Sequence, residues 1–274
     1  MNLPKLKLSR KLRTWLSAIL IGYVVVGIAL YFLQEKFLFH PTPLENETVL
    51  KIDAPIEEIR LAVTGQKMLH ITRFMQQDSV AKGAVLYFHG NRDNVERYAP
   101  AAELFTSEGY EVWMPEYPGF GKSTGERSEA IMKQDAELAY KMLRTRFSED
   151  KIVIYGRSLG TGPASWLASR VEAKHLILET PYSSIPDLMA HYAFIYPVSW
   201  MAKYSFDNYQ YLSQVSMPVT ILHGSDDNII PVKLAKKLAT VKPVQTELVL
   251  IEGGGHNNLG EFPIFVERVR TALQ

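Results

Sequence analysis

The hydrophobic residues of the chain follow three patterns, and each pattern predicts a different kind of element. Residues 15–33 (WLSAILIGYVVVGIALYFL) form a run of 19 residues without a charge, and about 20 apolar residues suffice to cross a bilayer as a helix. Residues 45–77 alternate β-branched and polar side chains, which predicts two or three antiparallel strands. From residue 84 onward, short apolar runs alternate with amphipathic stretches, which predicts buried strands separated by helices.

The second and third patterns place the elements of the main domain. The alternating segments are Thr48–Ile52, Glu58–Val63 and Leu69–Phe74. The apolar runs predict strands at residues 84–88, 110–114, 151–155, 175–179, 218–222 and 248–251. Helical periodicity predicts helices at residues 94–107, 131–147, 163–170 and 263–273. Alternating strands and helices favour a mostly parallel sheet with helices on both faces, so the predicted fold class is α/β.

The charge-free run is predicted to be an uncleaved transmembrane helix. Trp15 and Tyr31 lie near its ends, where amphipathic rings favour the membrane interface. The alternative is a cleaved signal peptide, whose apolar region has about 7–15 residues and ends in small residues before the cut; no such site follows here. Basic residues precede the run, so the N-terminus is expected in the cytoplasm and the following domain on the opposite side, periplasmic or extracellular in a bacterium.

The expected organisation follows from these boundaries. It comprises a basic N-terminus (1–14), a transmembrane helix (15–33), a connector (34–44) and one α/β domain (45–274). Within that domain, residues 181–211 lack clear periodicity and are rich in aromatic side chains. They are predicted to form a short cap over the sheet. A surface helix pair packed on the core is the alternative, because pockets and cores are both apolar.

Composition excludes several classes of function. The formal net charge is +1, so nothing in the overall charge indicates a nucleic-acid partner. The chain has no cysteine, which removes disulfides, thiol nucleophiles and zinc–thiolate sites. No pair of histidines has a spacing that suggests a metal site. We therefore expect neither a metal nor a cofactor.

The most informative motif is the pentapeptide GRSLG at residues 156–160, which lies between a predicted strand and a predicted helix. A serine in a G-x-S-x-G turn at this place is typical of a nucleophile elbow. The turn strains the backbone at Ser158, and the flanking Gly156 and Gly160 leave room for the adjoining strand and helix. The backbone N–H of Leu159, the residue after the serine, is a candidate oxyanion-hole donor.

The other candidate residues also come just after predicted strands. In an open α/β sheet, ligands bind at the carboxyl ends of the strands. Ser158 is followed along the chain by the acidic pair Asp226–Asp227 and then by His256. A serine hydroxyl needs a base to take its proton, a histidine suits that task near neutral pH, and a carboxylate orients the histidine. Composition does not choose between the two aspartates.

These motifs together resemble the α/β-hydrolase superfamily, in particular its small, membrane-anchored branch of serine aminopeptidase-like hydrolases. The resemblance covers residues 45–274 and is carried by HGN (89–91), YPGFGKS (117–123), GRSLG (156–160), HG (223–224) with Asp227 and Pro231, and GH (255–256). It implies an α/β-hydrolase fold with a short cap and a catalytic Ser158, Asp227 and His256. It also implies that the Asn91 backbone supplies the second oxyanion-hole donor. On this register Asp226 faces away from the histidine.

The expected function is therefore a membrane-anchored serine hydrolase that cleaves an ester or thioester through an acyl-enzyme. The substrate is expected to be a small-molecule or lipid-like acyl compound held by aromatic side chains of residues 181–211. One alternative is a serine peptidase that cleaves amides. Another is an anchored hydrolase fold that binds without catalysis, although the filled serine, acid and histidine positions argue against it.

Overall fold

The computed structural model describes residues 9–65, 67–76 and 80–274. The first eight residues of the predicted basic N-terminus, with Lys5 and Lys7, lie outside the described residues. The strands are β1 (His40–Pro41), β2 (Ile56–Thr64), β3 (Lys67–Phe74), β4 (Gly83–Phe88), β5 (Arg92–Asp93), β6 (Tyr110–Pro115), β7 (Ile152–Arg157), β8 (His175–Glu179), β9 (Val219–Gly224) and β10 (Thr246–Ile251). The helices are α1 (Arg10–Leu38), α2 (Val95–Tyr98), α3 (Glu103–Thr106), α4 (Glu129–Arg144), α5 (Thr161–Ala168), α6 (Ile185–Tyr192), α7 (Val198–Met201), α8 (Asn208–Leu212), α9 (Val232–Ala239) and α10 (Pro263–Leu273).

Within these described ranges the main sheet has eight strands, in the order β10-β9-β8-β7-β4-β6-β3-β2. The strands from β10 to β6 run parallel, whereas β3 pairs antiparallel with both β6 and β2. Because successive side chains of a strand point to opposite faces, the central strands feed two cores. Leu86 and Ile154 face a core shared with α4, α5 and α9, while Val85 and Val153 face a core shared with α2, α3 and α10. The predicted α/β class is confirmed.

Two predicted elements differ in the structure. Residues 48–52 are not a strand: the backbone N–H of Lys51 donates to Glu96 Oε1 at 2.6 Å, and Leu50 packs into the second core. The helix predicted at 94–107 is divided into α2, a 3-10 turn (Ala99–Ala102) and α3. Pro100 lies in that turn, and proline has no N–H to continue an α-helical ladder.

The apolar helix α1 is longer than the predicted transmembrane segment. It continues through residues 34–38, which the pattern had assigned to the connector, and its Gln34 is only 2% exposed. In the part of the chain that the structure describes, α1 is the one helix long and apolar enough to cross a membrane. Directly after it, β1 pairs with β5 in a small separate sheet. The start of the domain is thereby attached to the loop that follows β4.

The segment predicted as a cap divides into two parts. Its last part belongs to the core, because Tyr204 and Phe206 are buried in the same hydrophobic cluster as residues of α4 and α5. Its first part, with α6 and α7, contacts α1 through stacked rings of Tyr23 and Tyr196, whose centroids are 4.6 Å apart. The segment therefore packs partly on the core and partly against α1, and its role as a cap over the site stays a prediction.

Candidate active site

The strand order places a crevice at the carboxyl end of β4. The chain forms β4, then adds β6 on one side of it and β7 on the other. Such a reversal is a topological switch point, where the loops after the two strands diverge and leave room for a ligand. The loop after β4 carries Asn91 and the turn after β7 carries Ser158. Both residues line the same cavity.

The turn after β7 has the strained geometry that the motif predicts. Ser158 has a φ of 52°, a left-handed conformation that is uncommon for a residue other than glycine. A Cβ on Gly156 would lie 2.6 Å from the carbonyl oxygen of Gly160, and a Cβ on Gly160 would overlap the carbonyl oxygen of Phe88. The two glycines therefore let β7, the turn and β4 approach closely enough to hold the serine in this conformation.

The structure brings Ser158, His256 and Asp227 into one hydrogen-bonded chain. The Nε2 atom of His256 lies 3.0 Å from Ser158 Oγ, and its Nδ1 atom lies 2.8 Å from Asp227 Oδ2. The second carboxylate oxygen of Asp227 accepts hydrogen bonds from the backbone N–H groups of Ile229 and Ile230, at 2.9 and 2.8 Å. Loops after three different strands thus supply a hydroxyl, an imidazole and a carboxylate in the relative positions that proton transfer needs.

The electrostatics around Asp227 favour its ionised form. Burial alone would raise its pKa, but the hydrogen bond and charge of His256 and two backbone N–H groups outweigh burial and hold the pKa of the Asp227 carboxyl below its ordinary value. Asp226 lies on the other side of the turn, where it is exposed and accepts a hydrogen bond from Ser225 Oγ at 2.8 Å. The nearby His223 contacts the carbonyl oxygen of Ile230 at 2.9 Å, and burial lowers the pKa of His223. It shapes the loop as a neutral side chain.

The two residues predicted to supply the oxyanion-hole N–H groups, Asn91 and Leu159, both line the cavity beside Ser158. The loop that carries Asn91 is fastened to the end of α1. Asn91 Nδ2 donates to the carbonyl oxygen of Leu38 at 2.9 Å, and the N–H of His40 donates to the carbonyl oxygen of Asn91 at 2.8 Å.

Arg157, the neighbour of the serine, forms an ion pair with a buried acid. Its Nε lies 3.2 Å from Glu179 Oε1, and Tyr155 Oη donates to the other carboxylate oxygen of Glu179. An arginine beside the serine suits either a structural ion pair or a role in steering a substrate carboxylate, and this contact supports the ion pair. Among the residues that the structure describes, no group of three or more histidine, aspartate or glutamate side chains is placed to hold a metal ion.

The site opens into an apolar cavity of about 880 Å³, within the range of about 300–1,000 Å³ usual for small-molecule pockets. Aromatic side chains from the first part of the cap line it, as the sequence predicts. They are Tyr182, Tyr192, Phe194 and Tyr196. Sequence reasoning missed the opposite wall, which is formed by α1. Its lining residues are Val26, Leu30, Gln34, Phe37 and Leu38.

One signal for this second role of α1 was present in the sequence. Gln34 is a polar residue that directly follows the charge-free run. In the structure its Nε2 donates to the carbonyl oxygen of Met201 at 3.1 Å, and its Oε1 accepts from the N–H of Lys203 at 2.7 Å. A buried amide that links a helix to another segment marks a packed face rather than a lipid-facing one.

Comparisons with known proteins find relatives of similar sequence and solved structures of similar fold. A family model described as serine aminopeptidase, S33, matches residues 79–211. The chain is 30% identical over 208 residues to alpha/beta hydrolase domain-containing protein 17C of Xenopus tropicalis, a match that covers 73% of this chain and 64% of the relative. It is 32% identical over 169 residues to the protein of that name from Mus musculus, covering 59% and 50%. The matches thus span less than two thirds of these relatives' own length.

Solved structures show the same fold. An esterase of Pyrococcus furiosus, Pf2001, superposes with a TM-score of 0.67 at 19% identity, covering 86% of this chain and 96% of the esterase. An acylaminoacyl peptidase of Pyrococcus horikoshii superposes with a TM-score of 0.60 at 15% identity, covering 79% of this chain and 41% of the peptidase. At such identities the likeness is one of fold, and proteins of this fold differ in the bonds they cleave.

Proposed function

Because the chain belongs to the α/β-hydrolase superfamily, we propose that it is a serine hydrolase that cleaves an ester or thioester through an acyl-enzyme. The single observation that carries the proposal is the hydrogen-bonded chain from Ser158 through His256 to Asp227 at a strained turn beside the cavity. Ser158 is the nucleophile, His256 the general base and then acid, and Asp227 the residue that orients the imidazole.

The reaction proceeds in two steps, acylation of Ser158 and hydrolysis of the acyl-enzyme. His256 Nε2 takes the hydroxyl proton of Ser158 while Oγ attacks the acyl carbonyl carbon, whose C=O electrons move onto the oxygen. The amides of Asn91 and Leu159 donate to that oxyanion. The intermediate then collapses, the bond to the leaving alcohol or thiol breaks, and the leaving group receives the proton from His256. Water repeats the sequence on the acyl-enzyme and releases the acid and free Ser158.

Asp227 contributes by staying ionised. Its lowered pKa keeps a negative charge against His256 Nδ1 at neutral pH. That charge selects the tautomer with a free Nε2 lone pair towards Ser158 and stabilises the imidazolium formed during attack.

The cavity favours an acyl ester over an amino-terminal peptide. Its lining residues are mostly apolar, and within the described chain none of them is an aspartate or glutamate. An enzyme that removes amino-terminal residues needs to bind a free ammonium group, and an apolar wall without a carboxylate gives that charge no partner. Amide cleavage remains the second enzymatic candidate, because the same hydrogen-bonded chain supports it.

A fluorophosphonate probe tests the hydrolase against a non-catalytic binding module. We expect the folded protein to be labelled on Ser158, because its hydroxyl is activated by His256, and labelling to be lost in Ser158→Ala. Intact-mass spectrometry measures the added phosphonyl group, and peptide mapping locates it. A folded wild-type protein that stays unlabelled would favour the binding module.

We also propose that α1 crosses the membrane with the N-terminus in the cytoplasm and the catalytic domain on the opposite side. The supporting observations are its length, its exposed apolar surface and the basic residues at its start. The full chain should remain with membranes in high-salt washes, since burial of apolar area is not weakened by salt. Fractionation and immunoblotting check this, and a mature N-terminus after Leu33 in the native host would contradict it.

A further inference from the structure

The cap is fastened to α1 well inside the charge-free part of that helix. Besides the stacking of Tyr23 on Tyr196, Tyr23 Oη donates to the carbonyl oxygen of Ile195 at 3.0 Å, and Tyr196 Oη donates to the carbonyl oxygen of Tyr23 at 3.2 Å. The ring of Tyr196 also lies against Gly27, where a Cβ would be 3.1 Å from it. Together with the contacts of Gln34, these bonds hold the cap along the second half of α1.

The position of these contacts along α1 sets the depth of the cap in a bilayer. At the domain end of the helix, Lys203 Nζ lies 4.0 Å from Glu35 Oε1, so charged groups and water are expected at that level. Tyr23 lies twelve residues earlier, which is about 18 Å along the helix axis at about 1.5 Å per residue. Half of a hydrocarbon core is about 15 Å. If α1 spans the membrane, the cap therefore extends through one leaflet, from the level of Glu35 to about the bilayer midplane at Tyr23.

The composition of the cap tip, residues 192–202 (YAFIYPVSWMA), suits that location. The segment carries no charge and is flanked by His191 and Lys203. Phe194 is 81% exposed and Trp200 is 88% exposed, and Tyr192 and Ile195 are also exposed. Large exposed apolar patches on a protein surface mark contacts with a membrane or a partner, and apolar residues adjoining a spanning helix meet lipid first.

The backbone of the cap tip also forms hydrogen bonds of the kind that a segment needs in hydrocarbon, where water cannot supply them. The N–H groups of Ala193, Tyr196, Val198 and Ala202 each donate to a nearby carbonyl oxygen within the cap. The carbonyl oxygens of Ile195 and Met201, as described, accept from side chains of α1. Backbone groups left without partners in hydrocarbon cost several kcal/mol each, so these bonds reduce the cost of placing an irregular segment in lipid.

The cavity of the site runs between α1 and the cap tip. Its lining reaches from Ser158 and His256, along α1 from Leu38 to Val26, and across to Phe194 and Ile195 on the cap. The distance from Leu38 to Val26 along the helix is also about 18 Å. An apolar cavity with one wall formed by a spanning helix, and the other by a segment at leaflet depth, suits an extended acyl chain that lies in the same leaflet.

We propose that the cap tip inserts into the leaflet on the side of the catalytic domain, and that the cavity takes long-chain acyl esters from that leaflet. The helix α1 is then both the anchor and one wall of the acyl site. This inference rests on the proposed function for its chemistry, but the insertion of the cap tip does not depend on catalysis.

Insertion is tested on the full chain, which lacks cysteine and therefore accepts one label at a chosen place. An environment-sensitive fluorophore is attached to the cysteine of Phe194→Cys or of Trp200→Cys. Each labelled protein is then reconstituted into vesicles of phosphatidylglycerol and phosphatidylcholine. The control is Val244→Cys, an apolar residue that is 98% exposed and precedes the amino end of β10, whereas the site lies at the carboxyl ends of the strands. Labels at 194 and 200 should be quenched by nitroxide-bearing lipids and shielded from iodide, and the label at 244 should show the reverse. Equal iodide quenching at all three positions would overturn the proposal.

The acyl route is tested with Leu30→Trp, which places a bulky ring in the cavity lining. Ile28→Trp is the matched control, because Ile28 lies on the same helix, is exposed and does not line the cavity. The measurement is the ratio of kcat/KM for a palmitoyl ester in vesicles to kcat/KM for a butyryl ester in water. Leu30→Trp should lower this ratio at least tenfold, and Ile28→Trp should leave it unchanged.

The outcomes separate this inference from the proposed function. If the butyryl ester is cleaved through Ser158 but Leu30→Trp and Ile28→Trp give the same ratio, the acyl route is wrong and the hydrolase assignment stands. If neither ester is cleaved and the fluorophosphonate does not label Ser158, the proposed function fails. In that case the quenching measurement still tests whether the cap tip inserts into the membrane.

Discussion

Replacing Ser158 or His256 with alanine is expected to remove nearly all ester hydrolysis, with kcat lowered on the order of 10⁴–10⁶-fold. The hydrogen bond between the two side chains makes them act as a unit, since the serine is a poor nucleophile without the imidazole and the imidazole has no proton to take without the serine. The double variant should therefore be little worse than either single variant. Initial rates on a short-chain ester, with purified protein in detergent, measure this.

The control for these variants is a measurement showing that each one is still folded. Ser158 and His256 lie in loops at the edge of the sheet rather than in either core, so circular dichroism and the thermal midpoint should change little. A single variant that is folded and keeps a tenth of the wild-type rate has lost only about 1.4 kcal/mol of transition-state stabilisation. That result would show that the assigned nucleophile or base is wrong.

Replacing Asp227 with asparagine is expected to lower kcat on the order of 10⁴-fold while the protein remains folded. The amide is nearly isosteric with the carboxylate, but its NH₂ group can donate to His256 Nδ1 and then favours the tautomer that carries its proton on Nε2. That tautomer cannot take the proton of Ser158. Asparagine Oδ1 can still accept from Ile229 and Ile230, so the turn keeps its hydrogen bonds.

Asp226→Asn is the matched control, because it makes the same chemical change one residue away. Asp226 is exposed, and the hydrogen bond described for its side chain comes from the adjacent Ser225. Its replacement should alter the rate by less than about twofold. Rates of both variants on the same ester rank the two carboxylates. A larger loss in Asp226→Asn, with both variants folded, would move the orienting acid to Asp226.

The positions of the strands, and the order in which a serine, an acid and a histidine follow them, could be predicted from local sequence patterns. Residues 84–88, for example, are apolar throughout because β4 is covered on both faces of the sheet. The composition of this run therefore predicts its burial. Ser158 was identifiable because the turn needs glycine on both sides. Asp227 was chosen over Asp226 from a family register, and its contact with His256 agrees with that choice. The catalytic roles of these residues stay predictions until the variants are measured.

Other local predictions failed because their outcome depends on neighbours. Residues 48–52 have strand-like composition, but their backbone meets Glu96 and the second core instead of a strand edge. The helix predicted at 94–107 had a consistent apolar face, yet Pro100 divides it. Periodicity reports which side chains are buried, whereas backbone hydrogen bonding decides the element.

The sequence by itself determined the α/β order, the apolar length of α1 and the placing of a serine, an acid and a histidine after strands, because each depends on neighbouring residues. Only the tertiary structure decided that α1 is also a wall of the cavity. The bond from Tyr23 to Ile195 joins residues 172 positions apart, and no local pattern specifies which distant segment a helix will meet. By composition, an apolar side of a helix suits contact with lipid, a cap or an acyl chain equally well. Packing against the cap places the side that carries Leu30 at the cavity beside Ser158.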